Sequence, residues 1–363
     1  MDSTTWNDIV GQDMLIENLQ SAIKYNKISH AYLIEGERLS GKRMIADIFA
    51  RALQCECDRE DTQQQTSLFS LGMFEDNEQT DKADTGEQIK PCNQCRSCRQ
   101  AQNGNHPDII YVEHEKPNVI SVDNIRRVNE DIVLKPYSGP YKIYIIDEAE
   151  KMNMQAQNAL LKTLEEPPEY AIILLLTTRT EAMLQTILSR CMVLNIKPVA
   201  EDAIKNYLMQ SIQVPDYRAA VCASFARGNV GRAIELASNE AFDRLKSLVI
   251  SAMKNIADME IHQMSAEIKK ITEEKFDKDD YLDLCFIWFR DVLLYKACGL
   301  YGDTNRIIFK EERHDLEDAA RRCSYEGIEK VIHSISRARS RIAANVNFDL
   351  TMELMFLDIK AVF

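Results

Sequence analysis

The sequence has no run of about 18 apolar residues, and its opening, MDSTTWNDIVGQ, lacks the basic-then-apolar order of a secretion signal. These absences argue against a membrane-spanning or exported chain, and the expectation is a soluble cytoplasmic protein with no membrane partner. Positive charge is also in short supply: 44 Lys and Arg stand against 57 Asp and Glu, a formal net charge of -13. A chain this acidic does not grip nucleic acid over its whole surface, so any DNA contact has to be local or shared with partners. Closely spaced cysteines are scarce as well. Ten are scattered along 363 residues with only one tight group, so a disulfide framework is not expected and most of the thiols read as buried and inert.

What is present is enough apolar material, 45% of 363 residues, to fill the cores of two or three domains. Short β-branched and apolar runs recur at 31–34, 109–112, 143–146, 172–176 and 192–196, each fitting a buried strand. Helical stretches at 42–53, 122–134 and 153–164 lie between several of them. Strand and helix therefore alternate as in a parallel sheet covered on both faces. After Pro198 the strand signals stop and amphipathic helices follow, the stretch 281–296 being apolar around most of its circumference and 325–344 carrying basic residues on one face. Residues 58–91 differ from their surroundings, rich in Gln, Thr, Asp and Glu, and read as an exposed, largely disordered insertion.

GERLSGKR, Gly36 to Arg43, follows a strand and opens a helix, the context a phosphate-binding loop requires. Glycines such as Gly36 and Gly41 let backbone N–H groups turn toward phosphate oxygens, and Lys42 can reach the terminal phosphates. Downstream, YKIYIIDEAEKM puts Asp147 and Glu148 at the end of an apolar strand. One carboxylate there suits Mg2+ and the other an attacking water. The bland alternatives are an ordinary strand-to-helix turn and two helix-capping carboxylates. One residue is wrong for hydrolysis: a working loop has Ser or Thr after the lysine to bind Mg2+, and this chain has Arg43, a permanent cation. Mg2+ coordination is expected to be impaired, so a nucleotide, if bound, would not be hydrolysed.

Cys92, Cys95 and Cys98 form C-x2-C-x2-C, a spacing that gathers three thiolates around one ion, with Cys55 or Cys57 as a fourth. A tetrahedral structural Zn2+ is the expected product, with an iron–sulfur centre or free thiols as the alternatives.

Together, SHAYLIEG (29–36), GNHPDI (104–109), NALLKTLEEPP (158–168) and ILSRC (187–191) resemble the bacterial DNA polymerase III clamp-loader subunits, the gamma/tau and delta-prime group. The likeness is clear over residues 6 to about 235 and thinner beyond, where FIWFRDVLLYK is similar to a collar helix. It implies a fold of class α/β: an AAA+ P-loop module with a parallel five-stranded sheet and helices on both faces (1–198, with a zinc module in 55–98), then an α-helical lid (199–240) and an α-helical collar (241–363). It also implies a hetero-pentameric ring with gamma/tau and delta subunits that places the sliding clamp on primed DNA.

Within the resemblance, Arg43 points to the delta-prime branch, a chain that belongs to a polymerase holoenzyme but is itself neither polymerase nor active ATPase. The motif at Ser189, Arg190 and Cys191 implies an arginine finger given in trans to ATP on the adjacent subunit. A guanidinium suits that task because it neutralises charge on the transferred phosphoryl group. Without the likeness, a structural ion pair of Arg190 reads equally well. Thr177 or Thr178 takes the place of a polar sensor, and Arg232 that of a lid sensor or simply a surface arginine. The likeness favours Cys55 over Cys57 as the first zinc ligand. QTSLF is similar to peptides that enter the sliding clamp, with Gln65, Leu68 and Phe69 as anchors, the alternative being incidental apolar residues in the insertion. Two other readings are an active gamma/tau-like ATPase and another AAA+ motor of replication or recombination.

Overall fold

The computed structural model describes residues 4–57, 90–112, 119–274, 276–298 and 307–363. The chain divides into two compact units, one of Met1–Ala203 with Gly228–Arg232 and the other of Ile204–Arg227 with Ala233–Phe363.

The first unit carries one sheet of five parallel strands in the order β2-β3-β4-β1-β5. The strands are β1 (Ala31–Glu35), β2 (Ile109–Val112), β3 (Lys142–Ile146), β4 (Ala171–Thr177) and β5 (Met192–Asn195). Its helices are α1 (Asp13–Lys24), α2 (Lys42–Gln54), α3 (Arg96–Gln102), α4 (Val122–Asp131), α5 (Met154–Glu165) and the single turn α6 (Gln185–Leu188). Side chains alternate between two cores, as the period of a strand demands. Tyr32, Ile34, Ile172 and Leu174 pack with Ile45 and Phe49 of α2 on one face, and Ala31, Leu33, Ile173 and Leu175 with Leu160 of α5 and Ile187 of α6 on the other. Burial on both faces is why β1, β3 and β4 read as unbroken apolar runs.

Two expectations shift. The last strand is not buried: β5 pairs with β1 alone and leaves Met192 and Val193 exposed, because it ends the sheet. The helix read at 122–134 stops at Asp131, where Lys142 Nζ donates to the carbonyls of Asp131 (2.8 Å) and Leu134 (3.4 Å) and takes over the work of a further turn.

The second unit is helical, with α8 (Asp216–Phe225), α10 (Glu240–Asn255), α11 (Ile261–Glu273), α12 (Lys278–Cys298), α13 (Arg313–Arg322), α14 (Tyr325–Ala343) and α15 (Phe348–Lys360), while α7 (Glu201–Ser211) and α9 (Val230–Ser238) are shared between the units. At its centre, α12 buries Leu282, Cys285, Trp288, Phe289 and Val292, with Tyr281 stacked on Phe356 and Trp288 tilted on Phe309. Its two buried carboxylates are both answered. Asp283 takes Arg227 and Arg339, and Asp291 accepts the amides of Ile308 and Phe309. Unpaired, each would be costly. Among the described residues no helix is long and apolar enough to cross a membrane.

Candidate functional site

Parallel pairing sets the register of the site. Glu35 lies opposite Thr177 and Ile146 opposite Leu175, so the carboxyl ends of β1, β3 and β4 deliver the Gly36–Arg43 loop, Asp147–Glu148 and Thr177–Thr178 to one edge of the sheet. In open parallel sheets ligands bind outside those ends, where the strand order reverses, and β1 lies at such a point between β4 and β5. A cavity of about 940 Å³ opens there, lined among others by Gly41, Lys42, Arg43, Asp147, Glu148 and Thr178.

The loop's two glycines have different reasons. Gly36 donates its N–H to Thr177 O at 3.1 Å, and a Cβ there would meet Ser40 Oγ at 2.6 Å; Gly41, the residue before α2, has φ +89°, which side chains rarely adopt. Lys42 folds back to donate to the carbonyls of Gly36 (2.6 Å) and Glu37 (2.7 Å). Burial pulls its pKa down, against the opposing pull of Glu150, Asp147 and Glu148.

Arg43 is half-exposed, but its guanidinium has three partners. Its Nη1 lies 3.5 Å from Asp147 Oδ2, its Nε 3.3 Å from Asp47 Oδ1 one turn along α2, and its guanidinium 4.1 Å from the centre of the Tyr111 ring. Tyr111 Oη in turn donates to Asp47 Oδ1 at 2.9 Å. Burial raises the Asp47 carboxyl, with Arg43 as the chief opposing influence, and burial with the adjacent Asp47 charge pushes the Tyr111 phenol up to about 12. The guanidinium therefore lies between two carboxylates across a ring face.

The other acids have their own partners. Glu148, at φ +50°, accepts from Lys151 Nζ at 2.6 Å. Glu150 accepts from both Thr177 Oγ1 (3.0 Å) and Thr178 Oγ1 (2.7 Å); burial would raise its pKa, but these bonds outweigh it and hold the carboxyl low. Thr178 thus faces the cavity, whereas Thr177 is fully buried.

Arg232 is not among the cavity-lining residues. Its backbone N–H donates to Asn229 Oδ1 (3.2 Å), and Asn229 Nδ2 donates to Arg38 O of the Gly36–Arg43 loop (2.7 Å). Arg190 stands at a separate edge of the unit, just after α6. Its Nη2 pairs with Glu165 Oε1 at 2.8 Å and its Nη1 donates to Thr186 O at 3.0 Å and Ser189 Oγ at 3.3 Å, while burial pushes the neighbouring Cys191 thiol up to about 12.

At the far end of α2, the four sulfurs of Cys55, Cys92, Cys95 and Cys98 lie within 4.8 Å of one another, a set able to hold a metal ion. Cys92 and Cys98 are 3.8 Å apart, the edge of a tetrahedron with metal–sulfur bonds of about 2.3 Å. The amides of Gln94 and Cys95 point at Cys92 Sγ (3.4 and 3.3 Å) and that of Cys98 at Cys95 Sγ (3.4 Å), as thiolates require. Cys57 is exposed and stands outside the set; its hydrogen bond to Cys92 holds its pKa up, whereas that from Cys98 holds Cys55 down. Arg51 of α2, 3% exposed, donates to Asn93 Oδ1 (3.0 Å) inside the cysteine loop and to Thr4 O (3.2 Å).

Sequence reasoning missed Asp47, Tyr111, Glu165 and Arg51. Only Asp47 carried a signal, its spacing of four from Arg43 on one helix. Gln65, Leu68 and Phe69, with the segment 58–89 that carries them, lie outside the described residues.

The family described as DNA polymerase III, delta subunit, matches residues 11–81 and 74–200. The chain is similar to DNA polymerase III subunit delta' of Bacillus subtilis, 26% identical over 351 residues that cover 95% of each chain. It is also similar to DNA polymerase III subunit tau of the same organism, 30% identical over 335 residues covering 86% of this chain and 54% of tau, so it spans about half of that relative's length. A solved structure of a DNA polymerase III gamma subunit-related protein from Thermotoga maritima is similar at 19% identity and a TM-score of 0.44, covering 96% of this chain and 99% of that one.

Proposed function

We propose, from the fact that this chain belongs to the clamp-loader family of DNA polymerase III, that it serves as a delta-prime-type subunit which does not hydrolyse ATP itself and lends Arg190 to a neighbouring subunit that does. The observation that carries the reading is the ion pair of Arg43 Nη1 with Asp147 Oδ2 at 3.5 Å. Mg2+ needs oxygen ligands at about 2.0–2.1 Å in near-octahedral array. Here the residue after the loop lysine offers no oxygen, its cation repels a second one, and the acid already has that cation as a partner. Glu148, which would orient the attacking water, is held by Lys151.

The proposal includes the three-part division at 198 and 240 into nucleotide-binding-like module, lid and collar, and a hetero-pentameric ring with gamma/tau and delta subunits that sets the sliding clamp on primed DNA. Cys55, Cys92, Cys95 and Cys98 would hold zinc, whose contribution is to cross-link α2 to the α3 segment, a structural role. A nucleotide would rest on the loop amides and Lys42.

The test is ATP hydrolysis with Mg2+. The isolated chain is expected to stay at background, and Arg190→Ala in the reconstituted ring to slow the site it faces by ~10³-fold, the scale of arginine fingers. Turnover by the isolated chain would favour the second reading, an active gamma/tau-like subunit, which the 30% identity to tau supports.

A further inference from the structure

Arg190 is offered above as a finger for another subunit, yet in this chain it is already occupied. Its guanidinium is gripped at both terminal nitrogens, by the Glu165 carboxylate at 2.8 Å on one and by Thr186 O at 3.0 Å and Ser189 Oγ at 3.3 Å on the other. The two neutral acceptors orient it without discharging it. Glu165 differs, because a carboxylate neutralises the charge that a phosphoryl group would need.

The position of Glu165 is itself unfavourable for its helix. It is the last residue of α5, where the backbone dipole presents negative charge and an acidic side chain is disfavoured. A guanidinium brought against it relieves that cost, so the pair accounts for a carboxylate that helix stability alone would not select. Both side chains remain reachable, Arg190 at 34% and Glu165 at 50% exposed, so the bond can be exchanged without unfolding anything.

We infer that Glu165 is a positioning residue that parks the Arg190 guanidinium in cis and gives it up when the phosphoryl group of a nucleotide on the adjacent subunit competes for it. The inference rests on the finger reading above. In the unengaged ring the guanidinium stays on Glu165 and the neighbour's site lacks its cation; when the interface closes, phosphate oxygens replace one carboxylate oxygen at Nη2. The Thr186 and Ser189 bonds persist and keep the side chain aimed. Because the pair is half-exposed, the threshold it sets is small, a change of about two- to fivefold in rate, as exposed ion pairs allow.

The experiment is ATP turnover by the reconstituted loader, with and without clamp and primed DNA, for the original chain, Glu165→Gln, Glu165→Asp and Arg190→Ala. Glu165→Gln keeps the shape and removes the charge. It is expected to raise unstimulated turnover about two- to fivefold while leaving stimulated turnover little changed, so the stimulation ratio falls. Glu165→Asp, which keeps the charge, is expected to restore most of that ratio, which a merely structural role would not predict. An unchanged ratio in Glu165→Gln, in a ring where Arg190→Ala does abolish stimulation, overturns the parking role and leaves the finger standing. A silent Arg190→Ala overturns both.

Discussion

The two ends of α2 offer different chemistry, charged nitrogen and oxygen groups at one and a set of sulfurs at the other. At its first turn the helix presents Lys42 and Arg43, and a guanidinium lies 3.5 Å from Asp147. At its last residue it hands over to Cys55, one of four thiols gathered within 4.8 Å. The first end has Arg43 against its acids; the second has buried Arg51 nearby and four sulfur donors, a set able to hold a metal ion. On the reading proposed above, the contrast shows how a loop can keep its glycine turn while a single side chain, seated by Asp47 and Tyr111, sets a cation beside the neighbouring acid.

The largest effect is expected at the thiol end. Cys98 is fully buried, and Cys98→Ser replaces a thiolate that no water can stand in for. It is expected to abolish zinc in metal analysis of the purified chain and to lower stability to urea by about 3 kcal/mol or more, the scale on which loss of a structural metal or a buried charge partner is felt. Arg51 adds to the loss. At 3% exposed, with the cysteine cluster among the charges that favour its ionised form, it would keep its bonds to Thr4 and Asn93 but lose much of its counter-charge. A Cys98→Ser chain that keeps one zinc and its urea midpoint would erase the contrast.

How legible was this in the sequence? Strands β1, β3 and β4 are, because a doubly covered strand has no polar face to confuse the pattern, and β5 less so, because an edge strand keeps the same apolar residues and exposes them. The replacement of a hydroxyl by Arg43 is legible from one letter. Its consequence is not, since Asp147 and Tyr111 lie 104 and 68 positions away and meet it only through the β2-β3-β4-β1 order. The cysteine spacing identifies three ligands; the choice of Cys55 over Cys57 needs the helix end, which turns one thiol inward and leaves the next but one in solvent. Glu165 gives no sign at all, because it reaches Arg190 across a whole strand.

At the loop end, Arg43→Thr removes the built-in cation and supplies the missing hydroxyl in one change. Nucleotide binding by the original chain is expected to be indifferent to Mg2+, and binding by the variant to tighten about tenfold when Mg2+ replaces EDTA, roughly 1.4 kcal/mol, as calorimetry would read it. Hydrolysis is not expected to return in step, because Glu148 remains bonded to Lys151. If the original chain already binds more tightly with Mg2+, Arg43 is not in the metal's way and the two ends of α2 are less different than their charges imply.

The smallest effect sharpens the comparison most, because it asks what seats the guanidinium. Tyr111 does two things at once: its ring lies 4.1 Å beneath Arg43, and its hydroxyl donates at 2.9 Å to the Asp47 oxygen that also takes Arg43 Nε. Tyr111→Phe separates them, keeping the ring face and deleting the donor. The half-buried Asp47 carboxylate then keeps Arg43 and the more distant charge of Arg51, and since a net hydrogen bond to a partly screened charge is modest, stability is expected to fall by about 0.5–1 kcal/mol in the urea midpoint. The ion pair to Asp147 should survive, so Mg2+ indifference should survive with it. If Tyr111→Phe instead makes nucleotide binding responsive to Mg2+, the seat of Arg43 depends on the hydroxyl, and a single hydrogen bond 68 residues away governs whether this loop can admit a metal.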